Sequence, residues 1–340
     1  MEKFILTQWQ KRGLFAWLMS PLSLCICVLA QLKRWAYQSG ILKQHALSVP
    51  VIVVGNISVG GTGKSPLVAH IAQLLQQHNF KPGIICRGYK GKADTWPQFV
   101  KADSQPDWVG DEPVMLAMQT HCPVMAGPDK VQAAQALIKG DSSPRSKTEK
   151  HGCDVIISDD GFQHLRLARD IDVVVLGDMG NGWCIPAGPL REAKAALSSA
   201  DICVIHRADN QQDNQRDSAQ SSFEMALASG EIYALDDQQL ANLSALKQTH
   251  LHAVAGIGRP ERFFEILRGL GLSFTEHIFA DHHDYIASDV DFNDNDLIIT
   301  TEKDAIKLAR LQGLRKTWVL PVKATLSSEF DQQLLKKLNA

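Results

Sequence analysis

Residues 49–66 read VPVIVVGNISVGGTGKSP, a β-branched run that breaks into glycines and ends in Gly-Lys-Ser. Residues 51–54 are too short and too uniformly apolar for an amphipathic helix, so they predict a buried strand. Leu67, Ile71, Leu74 and Leu75 then recur at helical spacing. The glycine stretch therefore joins a strand to a helix. In that setting Gly60, Gly61 and Gly63 let backbone N–H groups turn toward a phosphate, and a helix opening near Lys64 adds its positive amino-terminal end. Lys64 then reaches the β- and γ-phosphates, and the Ser65 hydroxyl ligates Mg²⁺. The stretch departs from the strict phosphate-loop pattern G-x-x-x-x-G-K-[ST], because Ser58 stands where the first glycine belongs. That position mainly needs a tight bend, and the Gly60–Gly61 pair supplies the freedom. A glycine turn without a ligand is the alternative; strand before, helix after and Lys-Ser in register favour a nucleotide loop formed by Ser58, Val59, Gly60, Gly61, Thr62, Gly63, Lys64 and Ser65.

A second feature supports that reading. Residues 155–161, VIISDDG, end a buried strand with two consecutive acids, Asp159 and Asp160. In phosphate-loop proteins an acid in this place orients Mg²⁺ or its water shell. Consecutive strand residues face opposite ways, so the two acids have different roles. Alone, Asp-Asp-Gly also reads as a turn with a capping acid. Asp111 and Glu112 open a helix with Pro113 in its first turn, which an ordinary acidic helix start also explains. Asp281-His282-His283-Asp284 competes with a solvated loop, since a free histidine titrates near neutrality without any special role. A histidine-based metal cluster is disfavoured by the spacing. Arg191, in PLRE, offers a phosphate clamp, and Thr301 with Asp304 three residues on resembles a capping box.

The chain has 340 residues, 45% hydrophobic and 21% charged, enough for one large α/β domain or two smaller ones. A net charge of −2 gives no overall case for nucleic acid as a partner. Seven scattered cysteines without a CxxC pair behave as small hydrophobes in a reducing compartment, and no zinc site is indicated. Residues 14–32, LFAWLMSPLSLCICVLAQL, carry no charge and are flanked by Lys11, Arg12, Lys33 and Arg34. A signal peptide lacks its A-x-A cleavage site here. A transmembrane helix is just long enough, but Pro21 and basic residues at both ends count against it. An interfacial anchor is the favoured reading, and a buried helix of a soluble protein is the plain alternative.

Beyond this segment, apolar runs at 51–54, 83–86, 155–158, 171–176 and 202–205 alternate with helical stretches, which predicts a mostly parallel sheet covered on both faces. Residues 141–150 read as a surface loop, and residues 208–222 as a flexible insertion or linker. The rhythm resumes at 252–255, 278–280, 297–300 and 318–322. The expected organisation is a membrane-associating helix over 1–40, a phosphate-loop kinase domain over 41–225 and a smaller α/β domain over 226–340 that closes the cleft.

The ensemble GNISVGGTGKSP, CRGYKGK, GDEP, SDDGFQHLRLARD, NGWCIPAGPLRE, AGIGRPERFF, DHHDY and TEKDAIK resembles the tetraacyldisaccharide 4′-kinase family in motif order, from the apolar amino terminus to about residue 322. The shifted glycine belongs to that family's pattern. The resemblance implies two α/β/α domains joined by a short strand linker, with the active site between them. It also implies transfer of phosphate from ATP, with Mg²⁺, to the 4′-hydroxyl of a tetraacylated glucosamine disaccharide 1-phosphate in lipid A biosynthesis. By the same resemblance Glu112, Asp159 and Asp160 surround the metal with Ser65. Asp111 activates the hydroxyl with His282, His283 being the weaker choice, and Arg191 joins Lys64 on phosphate charge. The implied location is the cytoplasmic face of the bacterial inner membrane, with no obligate protein partner. Two features depart from the family: REAKAAL, where a proline commonly follows the glutamate, and the polar stretch at 208–222. A phosphate-loop ATPase and a nucleotide-dependent membrane adaptor are the competing classes, and neither gives Asp111 and His282 a reason to cooperate.

Overall fold

The computed structural model describes residues 2–140, 152–206, 221–292 and 296–339. Two helices open the chain, α1 (Glu2–Trp9) and α2 (Leu14–Gln38). The first α/β body then runs β1 (Val51–Gly55), α3 (Lys64–Gln77), β2 (Pro82–Cys86), β3 (Gln98–Val100), α4 (Pro106–Val109), α5 (Asp111–Thr120), β4 (Val124–Ala126), α6 (Lys130–Lys139), β5 (Val155–Asp159), β6 (Ile171–Leu176), β7 (Ile202–His206) and β8 (Ser222–Ser229). The second comprises β9 (Tyr233–Ala234), α7 (Leu243–Leu246), β10 (His250–Ala255), α8 (Pro260–Gly269), β11 (Ser273–Ile278), β12 (Leu297–Thr301), α9 (Glu302–Leu308) and β13 (Thr317–Leu320). β14 (Val322–Thr325) and α10 (Ser328–Leu338) close the chain.

β1 is buried at all five positions because it lies in the middle of a nine-stranded sheet, in the order β14-β8-β7-β6-β1-β5-β2-β4-β3. Its neighbours β5 and β6 both run parallel to it. A strand with parallel partners on both sides and helices over both faces reads as an unbroken apolar run, which is what residues 51–54 show. Val54 pairs in register with Asp159, so the acid at the end of β5 lies beside the glycine loop that leaves β1. Crevices at the carboxyl ends of such strands are the usual ligand sites of open α/β sheets. One face of the sheet buries Leu67, Ile71 and Leu75 of α3 together with Val114 of α5 and Phe330 of α10. The other face is covered by α6 and by the segment 162–200.

The smaller sheet has the order β11-β10-β12-β13-β9, with β9 antiparallel and the remaining strands parallel. Two strand expectations shift. The strand expected at 278–280 is β11, at Ser273–Ile278; as an edge strand with mostly exposed residues it presents no apolar run. The run 318–322 is two strands separated at Pro321, β13 in the smaller sheet and β14 in the larger. A single division at residue 225 is corrected accordingly. β8 extends to Ser229 within the larger sheet and pairs antiparallel with β14, while Ala324, Phe330 and Leu334 enter the larger body's core. Of the polar stretches at 141–150 and 208–222, residues 141–150 and 208–220 fall outside the described residues, and Ser222 belongs to β8.

α2 continues through Pro21 for 25 residues, a length of about 37 Å at 1.5 Å per residue. Ala16, Ser23 and Arg34 are buried, at separations of seven and eleven that return to one helix face. Along that face the Ser23 hydroxyl donates to the Cys184 carbonyl at 2.6 Å. Arg34 forms a buried ion pair with Glu192 at 2.8 Å and lies over the Phe162 ring. The rest of its surface exposes Leu18, Leu22 and Leu29 opposite that face and Trp17 and Trp35 at its flank. Only 11% of its most apolar window is buried, so this helix fits a membrane anchor that lies lengthwise on the body.

Candidate active site

The glycine loop owes its shape to two sets of bonds. Asn56 Nδ2 donates to the Ser58 carbonyl at 2.7 Å and to Thr62 Oγ1 at 3.2 Å, tying the loop's entry to its far side. Ser58 itself forms an antiparallel bridge with Leu190, flanked by Val59 N to Pro189 O at 2.8 Å and Arg191 N to Ile57 O at 2.6 Å. Its backbone is not left-handed, so the position needs no glycine. The demanding positions are Gly60 and Gly63, at φ +116° and +84°, where side chains are strained. Gly63 leads directly into α3, whose first residues are Lys64 and Ser65.

The Ser58–Leu190 bridge also explains where Arg191 lies. Its guanidinium Nη1 contacts both oxygens of Asp160 at 3.1 Å, and Lys64 Nζ approaches Asp160 Oδ1 at 3.5 Å. Burial alone would raise the Asp160 carboxyl, but Lys64, Arg191 and Lys130 outweigh it and lower it to about 2. Asp160, just past the end of β5, adopts a left-handed backbone, φ +48°. Asp159 is fully enclosed; burial first, and the charge of Glu112 next, push its carboxyl up to about 7. Its buried Oδ1 has no hydrogen-bond partner among the described residues. Beneath it, the buried ammonium of Lys130 donates to the Asp159 carbonyl and to Ser158 Oγ. Among the described residues no group of three His, Cys, Asp or Glu side chains converges on one metal position.

Across the crevice, Asp111 at the start of α5 meets His282. His282 Nδ1 and Lys307 Nζ both contact Asp111 Oδ2 at 2.9 Å. Burial opposes ionisation of Asp111, yet these two partners hold its carboxyl below the usual range. His282 is held in the left-handed region, φ +59°, with its N–H donated to the Gly256 carbonyl at 3.1 Å. The Tyr89 ring meets its imidazole edge-on at 5.3 Å. Lys303 Nζ contacts His282 Nε2 at 3.0 Å and Asp281 Oδ1 at 2.9 Å. His283 is engaged elsewhere, with Asp289 at 2.8 Å; the structure brings His282, not His283, to Asp111.

Gly258 ties the two halves together. A Cβ built there would lie 3.6 Å from Asp281 Oδ2 and 3.7 Å from the Gly61 nitrogen, so the glycine loop and the histidine segment border the same small volume. Three lysines of this crevice escape the sequence reading. Lys130 in GPDKV looks solvated until its burial is known. Lys303 and Lys307 lie in TEKDAIK, read as a helix cap and as one of the family's motifs but with no role given to either lysine. The cap itself is present, with the Asp304 N–H donating to Thr301 Oγ1 at 3.2 Å. Their spacing of four puts both lysines on one face of α9, the one signal that pointed to them.

A sequence model of the tetraacyldisaccharide-1-P 4′-kinase family matches residues 15–339. The chain belongs to this family. It is 39% identical to the tetraacyldisaccharide 4′-kinase of Nitrosococcus oceani, with 99% of this chain and 95% of that protein covered. It is 42% identical to that of Herminiimonas arsenicoxydans, covering 99% and 96%. Among solved structures it is similar to LpxK from Aquifex aeolicus in complex with ATP, with a TM-score of 0.79 and 29% identity over 95% of this chain and 99% of that one.

Proposed function

We propose that this kinase uses ATP and Mg²⁺ to phosphorylate the 4′-hydroxyl of a tetraacylated glucosamine disaccharide 1-phosphate, yielding the 1,4′-bisphosphate of lipid A biosynthesis. The observation that carries the reading is the meeting of two machines in one crevice: a glycine loop with Lys64, Arg191 and Asp160, and the Asp111–His282 pair. An ATPase or adaptor needs the first alone.

The oxygen chemistry of Ser65, Glu112, Asp159 and Asp160 suits a hard divalent cation. The unpartnered Oδ1 of Asp159 beside a carboxylate held ionised is the fit expected of such a site. Oxygen donors drawn from these four residues would hold Mg²⁺ together with the phosphates, since no three of the acids meet at one point among the described residues; when bound, the ion neutralises phosphate charge. Lys64 and Arg191, both resting on Asp160, supply positive charge for the phosphates at the glycine loop. His282 is oriented by Asp111 to accept the proton of the attacking hydroxyl, a role worth about 10²–10⁴ in rate. Lys307 keeps Asp111 ionised, so the imidazolium that forms stands beside a carboxylate.

The exposed apolar face of α2 suits a substrate whose acyl chains stay in a bilayer. Since ATP is cytosolic, the cytoplasmic face of the inner membrane is the location proposed. The deciding assay supplies γ-labelled ATP, Mg²⁺ and the acylated disaccharide 1-phosphate, and follows label into lipid. Lys64→Ala should lower transfer by about a hundredfold or more. His282→Ala should slow turnover while nucleotide binding stays near wild type. Label released only as free phosphate would replace the kinase reading with an ATPase.

A further inference from the structure

We propose that Lys303 is a positioning residue that fixes the tautomer of His282, placing the proton on Nδ1 and keeping the Nε2 lone pair as the base. The inference rests on the kinase reading for its consequence and on hydrogen-bond chemistry for its content. A lysine ammonium has three donors and no acceptor. Lys303 Nζ lies 3.0 Å from His282 Nε2, so that nitrogen accepts, and a neutral imidazole then carries its proton on Nδ1. Nδ1 in turn lies 2.9 Å from Asp111 Oδ2, an oxygen that can only accept when the carboxylate is ionised. Lys307 reinforces that state from the same oxygen and anchors the adjoining loop by donating to the His283 carbonyl at 2.9 Å. Both faces of the imidazole are thereby dictated by groups whose donor or acceptor character is fixed.

The other groups around the ring do not compete for Nε2. Lys90 Nζ donates to the His282 backbone carbonyl at 3.3 Å, and Tyr89 presents its ring. Asp281 is 3.9 Å from Nε2 and already bonded to Lys303 at 2.9 Å. That second bond gives Lys303 a place to remain when the acceptor hydroxyl takes its position on Nε2. In the transfer itself the hydroxyl proton passes to Nε2 and the new O–P bond forms. The bond from the γ-phosphorus to the β–γ bridging oxygen breaks, its electron pair leaving with ADP. A proton already on Nε2 would block the first of these events, so the tautomer decides whether His282 is competent.

The test uses the full-length protein labelled with [¹⁵N]histidine, with the His282 signals assigned by their loss in His282→Ala. At mildly alkaline pH, long-range ¹H–¹⁵N correlations should show the Nδ1–H form of His282 in wild type and in Lys303→Arg, which keeps a donor-only cation. Lys303→Met should give a mixture containing Nε2–H. In the lipid-labelling assay Lys303→Met should lose roughly tenfold or more in kcat, with KM for ATP within about twofold and partial recovery in Lys303→Arg. An Nε2–H form in wild type, or the same tautomer in Lys303→Met as in wild type, overturns the proposal. A kcat loss in Lys303→Met that Arg does not repair, with the tautomer unchanged, reduces Lys303 to a structural contact. If wild type transfers no label to lipid, the kinase reading fails, and the tautomer measurement still decides the role of Lys303.

Discussion

His164 lies behind the Asp159–Asp160 turn, and loss of water, followed by the charges of Lys130 and Arg87, lowers its imidazole from 6.5 to about 4. Between those values the unfolded chain binds a proton that the folded chain refuses. Stability therefore rises with pH through this window and is lost as pH falls from about 6.5 toward about 4. The slope is at most about 1.4 kcal/mol per pH unit, and less in practice because the ring is partly exposed to solvent. His164→Gln should flatten the acid side of the stability profile, read as the urea midpoint across that range. Parallel slopes for the two proteins would show that His164 is not the sensor. At this scale the sequence was readable where a residue's backbone or register is special, as at Gly63-Lys64-Ser65. It was misleading where a position borrowed from a general motif serves another local purpose. Ser58 replaces a glycine because it bridges Leu190 in a backbone that is not left-handed, rather than making a bend. Lys130 was silent, and Lys303 and Lys307 were left without a role, because a lysine's ordinary fate is solvent and tertiary packing reveals otherwise.

Among the elements, α2 shows how a polar pair can fix an apolar helix. The side chains of Arg34 and Glu192 are 9% and 7% exposed, so removing one partner leaves a charge enclosed without compensation. Glu192→Ala should therefore destabilise the protein by about 3–5 kcal/mol, whereas Arg34→Met with Glu192→Leu should restore most of that loss. Denaturant melts of wild type and the two variants check both statements, and a change below about 1 kcal/mol in Glu192→Ala would mean the pair is solvated. Because Glu192 follows Arg191, the pair also links the helix to the segment that contacts Asp160. The apolar run at 14–32 announced the helix but not its resting place, since Ser23 looks like an interruption and Arg34 like a basic flank until their partners on the body are known. β11 was hidden for the reverse reason: an exposed edge strand has no periodic apolar signal to read.

On the scale of the whole molecule, the chain leaves the larger sheet after β8 and returns to it through β14 and α10, so two crossing strands join the bodies that flank the crevice. A linear scan for domain boundaries sees the departure and misses the return, which hinges on Pro321 between two apolar strands. α2 is seated on the larger body through Ser23 and Arg34, which leaves Leu18, Leu22 and Leu29 70%, 54% and 65% exposed. These side chains make no contribution to the core, whereas burying each in lipid is worth about 1.5–3 kcal/mol. Replacing all three by glutamine should lower partitioning into vesicles containing anionic lipid by more than about a hundredfold, since each 1.4 kcal/mol is a factor of ten. The urea midpoint should stay near wild type because Ala16, Ser23 and Arg34 still seat the helix. Phosphorylation of vesicle-borne substrate should fall with partitioning and recover toward wild type when the substrate is presented in detergent, where α2 no longer has to reach a bilayer. Unchanged partitioning in the triple variant would remove α2 as the membrane contact and leave its exposed face without a partner.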